Sequence, residues 1–145
     1  MNDLIFIEAS GFSMWPFIRE GEKLIIRKTL VEDLKVGEII LYQAEDKLIC
    51  HRLVKKIKDN DKYLIYSRGD NSLSLPEFVI KDKFLGKVVG VLKKNGKAVS
   101  IAGRKQRLFN RIIVMIAPLI VKIIKPYYFK LRNYAKIHIS YRRPR

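Results

Sequence analysis

Leu48-Ile49-Cys50-His51-Arg52-Leu53-Val54 opens a run that continues to Ile57 and is rich in Ile, Leu and Val. Read as a strand, it carries a titratable ring in the middle of an apolar ladder. Similar β-rich runs stand at Lys23 to Arg27, Glu38 to Gln43 and Tyr63 to Ser67. Turn signals separate them: Glu20-Gly21-Glu22, Val36-Gly37-Glu38, Asp59-Asn60-Asp61 and Arg68-Gly69-Asp70-Asn71. Asn95-Gly96, between Val88–Lys93 and Lys97–Ile101, predicts a two-residue hairpin turn, because both residues tolerate positive φ. Turns about eight to twelve residues apart predict a compact, mainly β domain and not a βαβ fold.

Charge divides the 145-residue chain unevenly. Residues 1–103 hold 18 Lys/Arg against 14 Asp/Glu, a net +4, whereas residues 104–145 hold 12 Lys/Arg and no acid, a net +12. The first part reads as a globular β domain and the second as a basic tail. Such a tail suits an anionic partner, either lipid headgroups or nucleic acid. Within it, Leu108 to Ile124 is an apolar stretch broken by Asn110, Arg111, Pro118 and Lys122. Wound as a helix, it aligns Arg104, Arg107, Arg111, Lys122 and Lys125 along one stripe, with Ile112, Ile113, Met115, Ile116, Leu119 and Ile120 on other faces. Pro118 is expected to kink it.

Only ten residues separate Arg111 from Lys122. At ~1.5 Å per residue they cover about half of a ~30 Å hydrocarbon core. An interfacial basic amphipathic helix therefore fits better than a single C-terminal anchor that spans the bilayer. Tyr127, Tyr128, Phe129 and Tyr134, interleaved with basic residues, suit the same boundary. The competing reading is a helix packed on the β domain. Residues Met1 to Ser10 include Asp3 and Glu8, so no N-terminal signal or transmembrane helix is expected there. The single cysteine, Cys50, excludes an internal disulfide, and Cys50, His51 and His138 form no cluster at zinc spacing. No metal or other cofactor is expected.

Three short elements can carry chemistry. In Gly11-Phe12-Ser13-Met14-Trp15-Pro16, Gly11 lets backbone approach a substrate and Pro16 fixes the chain direction around a serine. A nucleophilic serine also needs a base in reach and donors for its oxyanion. Without those it is a turn residue joining two strands. His51, the only histidine of the β domain, has the ordinary imidazole pKa near ~6.5 that suits a general base, though a hydrogen-bonded strand histidine is the blander reading. Cys50 precedes it and points to the other face, which argues for packing and against a Cys–His pair. Ser67-Arg68-Gly69-Asp70-Asn71-Ser72 is either an ordinary turn after a strand or the source of a carboxylate, Asp70, that orients the imidazole.

In this order the three elements resemble the type I signal peptidases, serine peptidases of the S24/S26 kind. The likeness is to the branch in which histidine replaces the bacterial catalytic lysine. Val36-Gly37-Glu38-Ile39-Ile40 is similar to the stretch that precedes the histidine strand in that family, and the resemblance runs from about Glu8 to Gly90. It implies a signal-peptidase-like catalytic β domain over 1–103, followed by the basic helical tail over 104–145. It also implies a serine endopeptidase that cleaves a precursor or leader peptide after small residues. Ser13 would be the nucleophile, His51 the base and Asp70 the acid, while Gly11, Met14 and Pro16 would contact substrate, Met14 at the pocket for the small residue.

Family members of this branch usually carry a second Asp beyond the Gly-Asp-Asn. Here that stretch reads Ser72-Leu73-Ser74-Leu75-Pro76-Glu77, which makes Glu77 the alternative acid. Lys55 and Lys56 stand close to His51, but they look like a solvated strand end, and a lysine base must be desolvated. The expected partners are a peptide substrate, an anionic membrane surface and a membrane protein; nucleic acid is not expected. The competing functions are a non-catalytic peptidase-like scaffold and a polyanion-binding protein using the tail.

Overall fold

The structure is a computed structural model that describes residues 4–60, 62–101, 109–123 and 126. Eight strands form one sheet: β1 (Leu4–Glu8), β2 (Lys23–Arg27), β3 (Ile39–Ala44), β4 (Lys47–Asp59), β5 (Lys62–Arg68), β6 (Glu77–Val79), β7 (Phe84–Leu92) and β8 (Ala98–Ser100). The order across the sheet is β1-β2-β7-β3-β4-β5-β6, with β8 paired to β7, and all pairings are antiparallel. The mainly β expectation holds, and its strands lie where the Ile/Leu/Val-rich runs place them. Two strands fall outside the runs named above. β1 is an edge strand whose residues alternate between half-buried and exposed, and β6 is only three residues long.

β3 occupies the middle because both its faces are apolar. Ile39 and Leu41 point into one core with Met14, Ile18, Leu24, Ile26, Val88 and Val91. Ile40 and Tyr42 point into a second core with Val31, Leu34, Leu53, Ile65 and Val79. A strand covered on both sides reads as a continuous apolar run and not as an alternation. Cys50 packs against the first core, on the face opposite His51 as the strand period requires.

The β7–β8 connection differs from the expected two-residue turn. The Gly96 amide donates to the Lys93 carbonyl at 2.9 Å, and Lys93 N donates to Lys97 O at 2.9 Å, so the loop is Lys94-Asn95-Gly96. Only Gly96, at φ 79°, takes positive φ there. A turn followed by one left-handed glycine is the usual three-residue solution.

Residues 109–123 form a helix, α1, that continues through Pro118. Asn110, Ile113, Ala117 and Val121 are its buried positions, at the spacing of one helical face. Its first turn meets the Gly37 turn, where a Cβ would come within 2.9 Å of the Asn110 backbone, and Phe109 stacks edge-on against Phe17 at 6.2 Å. A cavity of ≈140 Å³ beneath it is lined by Phe17, Ile18, Arg52, Asn110 and Ile113, among others. Ile112, Met115, Ile116, Leu119, Ile120 and Ile123 form a second apolar arc that faces outward, with Arg111 and Lys122 exposed. The helix is thus apolar on two sides and not on one. Arg104, Arg107 and Lys125 of the expected basic stripe, and residues 127–145, lie outside the described residues. No helix among the described residues is long and apolar enough to cross a membrane.

Candidate functional site

Register decides which side chains meet. His51 on β4 pairs with Ile40 and Ile49 pairs with Tyr42, so Tyr42 and His51 share a face. Leu53, two residues beyond His51, pairs with Ser67 on β5, and Ser67 pairs with Glu77 on β6. Four adjacent strands therefore each send one polar side chain to the same face, in the row Tyr42, His51, Ser67, Glu77.

The row is hydrogen-bonded along its length. Tyr42 Oη lies 3.3 Å from His51 Nδ1 and donates to Glu77 Oε2 at 3.3 Å, while Ser67 Oγ donates to Tyr42 Oη at 3.0 Å. Glu77 Oε2 is 3.9 Å from His51 Nδ1. Burial pushes the Tyr42 hydroxyl pKa up to about 12, so it stays protonated and able to donate. The His51 pKa is lowered, chiefly because burial disfavours the cation, with Glu77 and then Asp70 opposing that shift.

The other ring nitrogen lies beside Gly69, as the serine does. Gly69 has no side chain, and a Cβ placed on it would stand 2.7 Å from the Ser13 carbonyl oxygen, 3.1 Å from Ser13 Cβ and 3.2 Å from His51 Nε2. Ser13 and His51 Nε2 thus converge on one point that only glycine leaves open. The adjoining turn is tied to the serine loop, since Asn71 N donates to Ser13 O at 2.8 Å and Asn71 Nδ2 to Phe12 O at 3.2 Å. Ser13 itself is exposed.

Asp70 goes elsewhere. Successive residues of β4 point to opposite faces, so Arg52 lies behind His51, and Asp70 meets Arg52 just as Gly69 meets His51. Arg52 Nε and Nη2 donate to the two Asp70 oxygens at 2.8 and 2.7 Å, and Nη1 donates to Gly37 O at 2.8 Å. The pair is buried, with side-chain exposures of 2% and 3%. The Arg52 guanidinium also sits over the Phe17 ring at 5.6 Å. Both carboxylate oxygens of Asp70 are therefore engaged by arginine, and the carboxylate nearest His51 Nδ1 among the described residues is that of Glu77.

The remaining candidates divide. Gly11, at φ 80° with open space where a Cβ would stand, and Pro16, after a cis Trp15–Pro16 peptide, lie on the exposed loop. The Met14 side chain is buried in the first core. Lys56 donates to the Glu32 and Leu34 carbonyls, and Lys55 lies over the Tyr66 ring, so both lysines are occupied away from Ser13. Cys50, pushed up to about 12 by burial, is a packed thiol and not a thiolate. Sequence reading missed Tyr42 and Ser67. The available signal was a tyrosine ending a buried apolar run, since a buried phenol needs a hydrogen-bond partner.

The Peptidase S24-like family model matches residues 1–89. The chain is 31% identical over 99 residues to the signal peptidase complex catalytic subunit sec11 of Sclerotinia sclerotiorum, a match that covers 61% of this chain and 57% of that protein. It is 36% identical over 73 residues to the subunit SEC11 of Fusarium vanettenii, covering 48% of this chain and 42% of that one. The chain spans about half the length of the curated relatives it matches. No solved structure gives a significant match.

Proposed function

This chain belongs to the Peptidase S24-like family, and we propose that it is a serine endopeptidase of signal-peptidase type with Ser13 as nucleophile and His51 as base. The observation that carries the proposal is the convergence of Ser13 and His51 Nε2 on Gly69. Ser13 Oγ attacks the scissile carbonyl of a precursor or leader peptide while Nε2 takes its proton. The Ser13 amide donates to the oxyanion, and the imidazolium returns the proton to the leaving amine. Water then hydrolyses the acyl-enzyme by the same route. His51's lowered pKa keeps the ring neutral and able to accept at neutral pH.

For the acid, the geometry favours Glu77 over Asp70, because Asp70 is held by Arg52 on the opposite face of β4. Asp70 then acts as a buried brace that fixes the Gly69 turn. Gly11 and Pro16 would flank the bound peptide on the exposed loop, with the buried Met14 beneath it. Ser13→Ala should lower cleavage of a leader-type peptide with small residues at the cut site by at least ~10⁴-fold, with the fold intact. Retained cleavage in that variant would reject the assignment.

The sec11 relatives are named as subunits of a signal peptidase complex, and membrane-associated partners are part of the same proposal. The outward arc of α1 supports a membrane-facing role. It exposes Ile112, Met115, Ile116, Leu119, Ile120 and Ile123 in a segment, 104–145, with a net charge of +12, which suits an anionic interface. Leu119→Glu with Met115→Glu should release the protein from anionic vesicles in a sedimentation assay; unchanged binding would remove the arc from the contact.

A further inference from the structure

We propose that Tyr42 is a positioning residue that fixes the tautomer of His51, linking its Nδ1 to Glu77 through a hydrogen-bond chain whose direction Glu77 and Ser67 enforce. The proposal rests on the peptidase reading above and adds a residue that neither the motif elements nor the Asp70 and Glu77 alternatives contained.

An ionised carboxylate only accepts, so the 3.3 Å contact between Tyr42 Oη and Glu77 Oε2 must be donated by tyrosine. Tyr42 has one hydroxyl proton, and that contact uses it. The two remaining contacts of Oη, with Ser67 Oγ at 3.0 Å and His51 Nδ1 at 3.3 Å, can then only be donated to it. Its two lone pairs receive one each. His51 is consequently protonated on Nδ1, which leaves the lone pair on Nε2, the nitrogen that converges with Ser13 on Gly69. The opposite tautomer would set an N–H against the serine and could not take its proton.

Two further features make Tyr42 the link. At 3.9 Å, Glu77 does not itself reach Nδ1 within hydrogen-bond distance. Tyr42 and Ser67 are nearly inaccessible, at 3% and 0% exposure, so water does not readily substitute for either. When His51 becomes imidazolium, Nδ1–H keeps its proton and donates a stronger hydrogen bond to the Tyr42 oxygen, which is polarised by its own bond to the Glu77 carboxylate. The acid is then read through a phenol and not by direct contact.

The test combines tautomer spectroscopy with kinetics on the full chain. In ¹⁵N-histidine-labelled protein above the His51 pKa, with His51 assigned by its loss in His51→Gln, the wild type should show the Nδ1–H form. Tyr42→Phe keeps the ring and its packing and should move His51 toward the Nε2–H form. It should also lower kcat roughly 100-fold on an Ala-x-Ala leader-type peptide, with KM changed less than about twofold. Glu77→Gln, at an exposed position, offers Tyr42 a donor as well as an acceptor. The direction of the chain is then no longer forced, so a mixture of tautomers is expected, with kcat about tenfold down. A folded Tyr42→Phe protein that keeps the Nδ1–H form and wild-type kcat overturns the proposal. So does a pure Nδ1–H form in Glu77→Gln. Tautomers are read without substrate, so the two readings fail separately. Shifted tautomers in a protein that cleaves nothing reject the peptidase assignment alone, and cleavage with unshifted tautomers rejects the role of Tyr42 alone.

Discussion

Two carboxylates approach the His51–Arg52 dipeptide from opposite faces of β4, and the protein treats them in opposite ways. Asp70 is 5% exposed and bound by both ends to Arg52. Glu77 has a side-chain exposure of 57% and reaches His51 through a tyrosine. A buried ion pair is costly to assemble and costlier to break, which suits a fixed brace. In the proposed mechanism, an exposed carboxylate linked to the ring through a phenol orients His51 while burial keeps it neutral. The comparison separates holding the site in place from tuning its proton.

The largest expected effect of breaking the comparison is on stability. Asp70→Ala leaves the Arg52 guanidinium buried with the Gly37 carbonyl and the Phe17 ring as its remaining partners among the described residues. That should cost about 3–5 kcal/mol, a large share of the roughly 5–15 kcal/mol that keeps a domain folded. Urea denaturation measures it. Glu77→Gln in the same assay should change the midpoint very little. Equal losses would show that both carboxylates serve the fold.

Next in size is the junction itself. Gly69→Ala puts a Cβ 2.7 Å from the Ser13 carbonyl and 3.2 Å from His51 Nε2, so the serine loop must withdraw. A displacement of about 1 Å between reacting groups lowers turnover on the order of 100-fold. The expected signature is a loss of kcat in a protein that still folds, because Arg52 and Asp70 are untouched. Wild-type turnover in Gly69→Ala would mean that Ser13 and His51 do not work against each other across this glycine.

Much of this was legible in the sequence, and the illegible part has a physical reason. The strand runs and the Gly-Asp-Asn turn follow from local composition, and so does the opposed orientation of Cys50 and His51. β6 did not follow, since Glu77-Phe78-Val79 after Pro76 is too short to show a period. Without β6 the strand neighbour of Ser67 is unknown, and so is the row that joins Tyr42 to Glu77. Asp70 was the natural acid from its motif, but only the pairing of Arg52 behind His51 shows where its oxygens go. The stretch Leu108 to Ile124 reads from sequence as an apolar face set against a basic stripe. Hydropathy does not distinguish the arc of Ile113, Ala117 and Val121, which packs inward, from the arc of Met115 and Leu119, which does not.

A smaller effect sharpens the same contrast at Glu77. If Glu77, on the surface, acts through Tyr42 as proposed, Glu77→Gln should cut kcat by about tenfold while its melting curve overlays that of the wild type. Glu77→Asp, which keeps the charge on a shorter stem, should recover part of the loss. Failure of the charge-conserving variant to recover any activity would mean that Glu77 contributes through β6 and not through its carboxylate.

The smallest expected effect is on the titration of His51, and its sign is fixed by the causes of the shift. Burial lowers the His51 pKa below the free-imidazole value, and Glu77 opposes this by favouring the cation. The acid limb of kcat/KM should therefore lie below the pKa of a free imidazole, with full activity above it. Removing the charge in Glu77→Gln removes an opposing influence, so the limb and the NMR titration of the ring should both move further toward acid. The consequence for stability follows by linkage. The folded pKa is lower than the unfolded one, so the contribution of the neutral ring is complete above the unfolded value of 6.5 and is lost as pH falls from there through the folded pKa. Glu77→Gln should extend that loss to lower pH, so the variant and the wild type should unfold alike at pH 8, lose stability together below 6.5 and diverge once the pH falls through the folded pKa of the wild type. A titration that moves toward alkali in Glu77→Gln would show that Glu77 does not stabilise the imidazolium, and the contrast between the two carboxylates would then be one of burial alone.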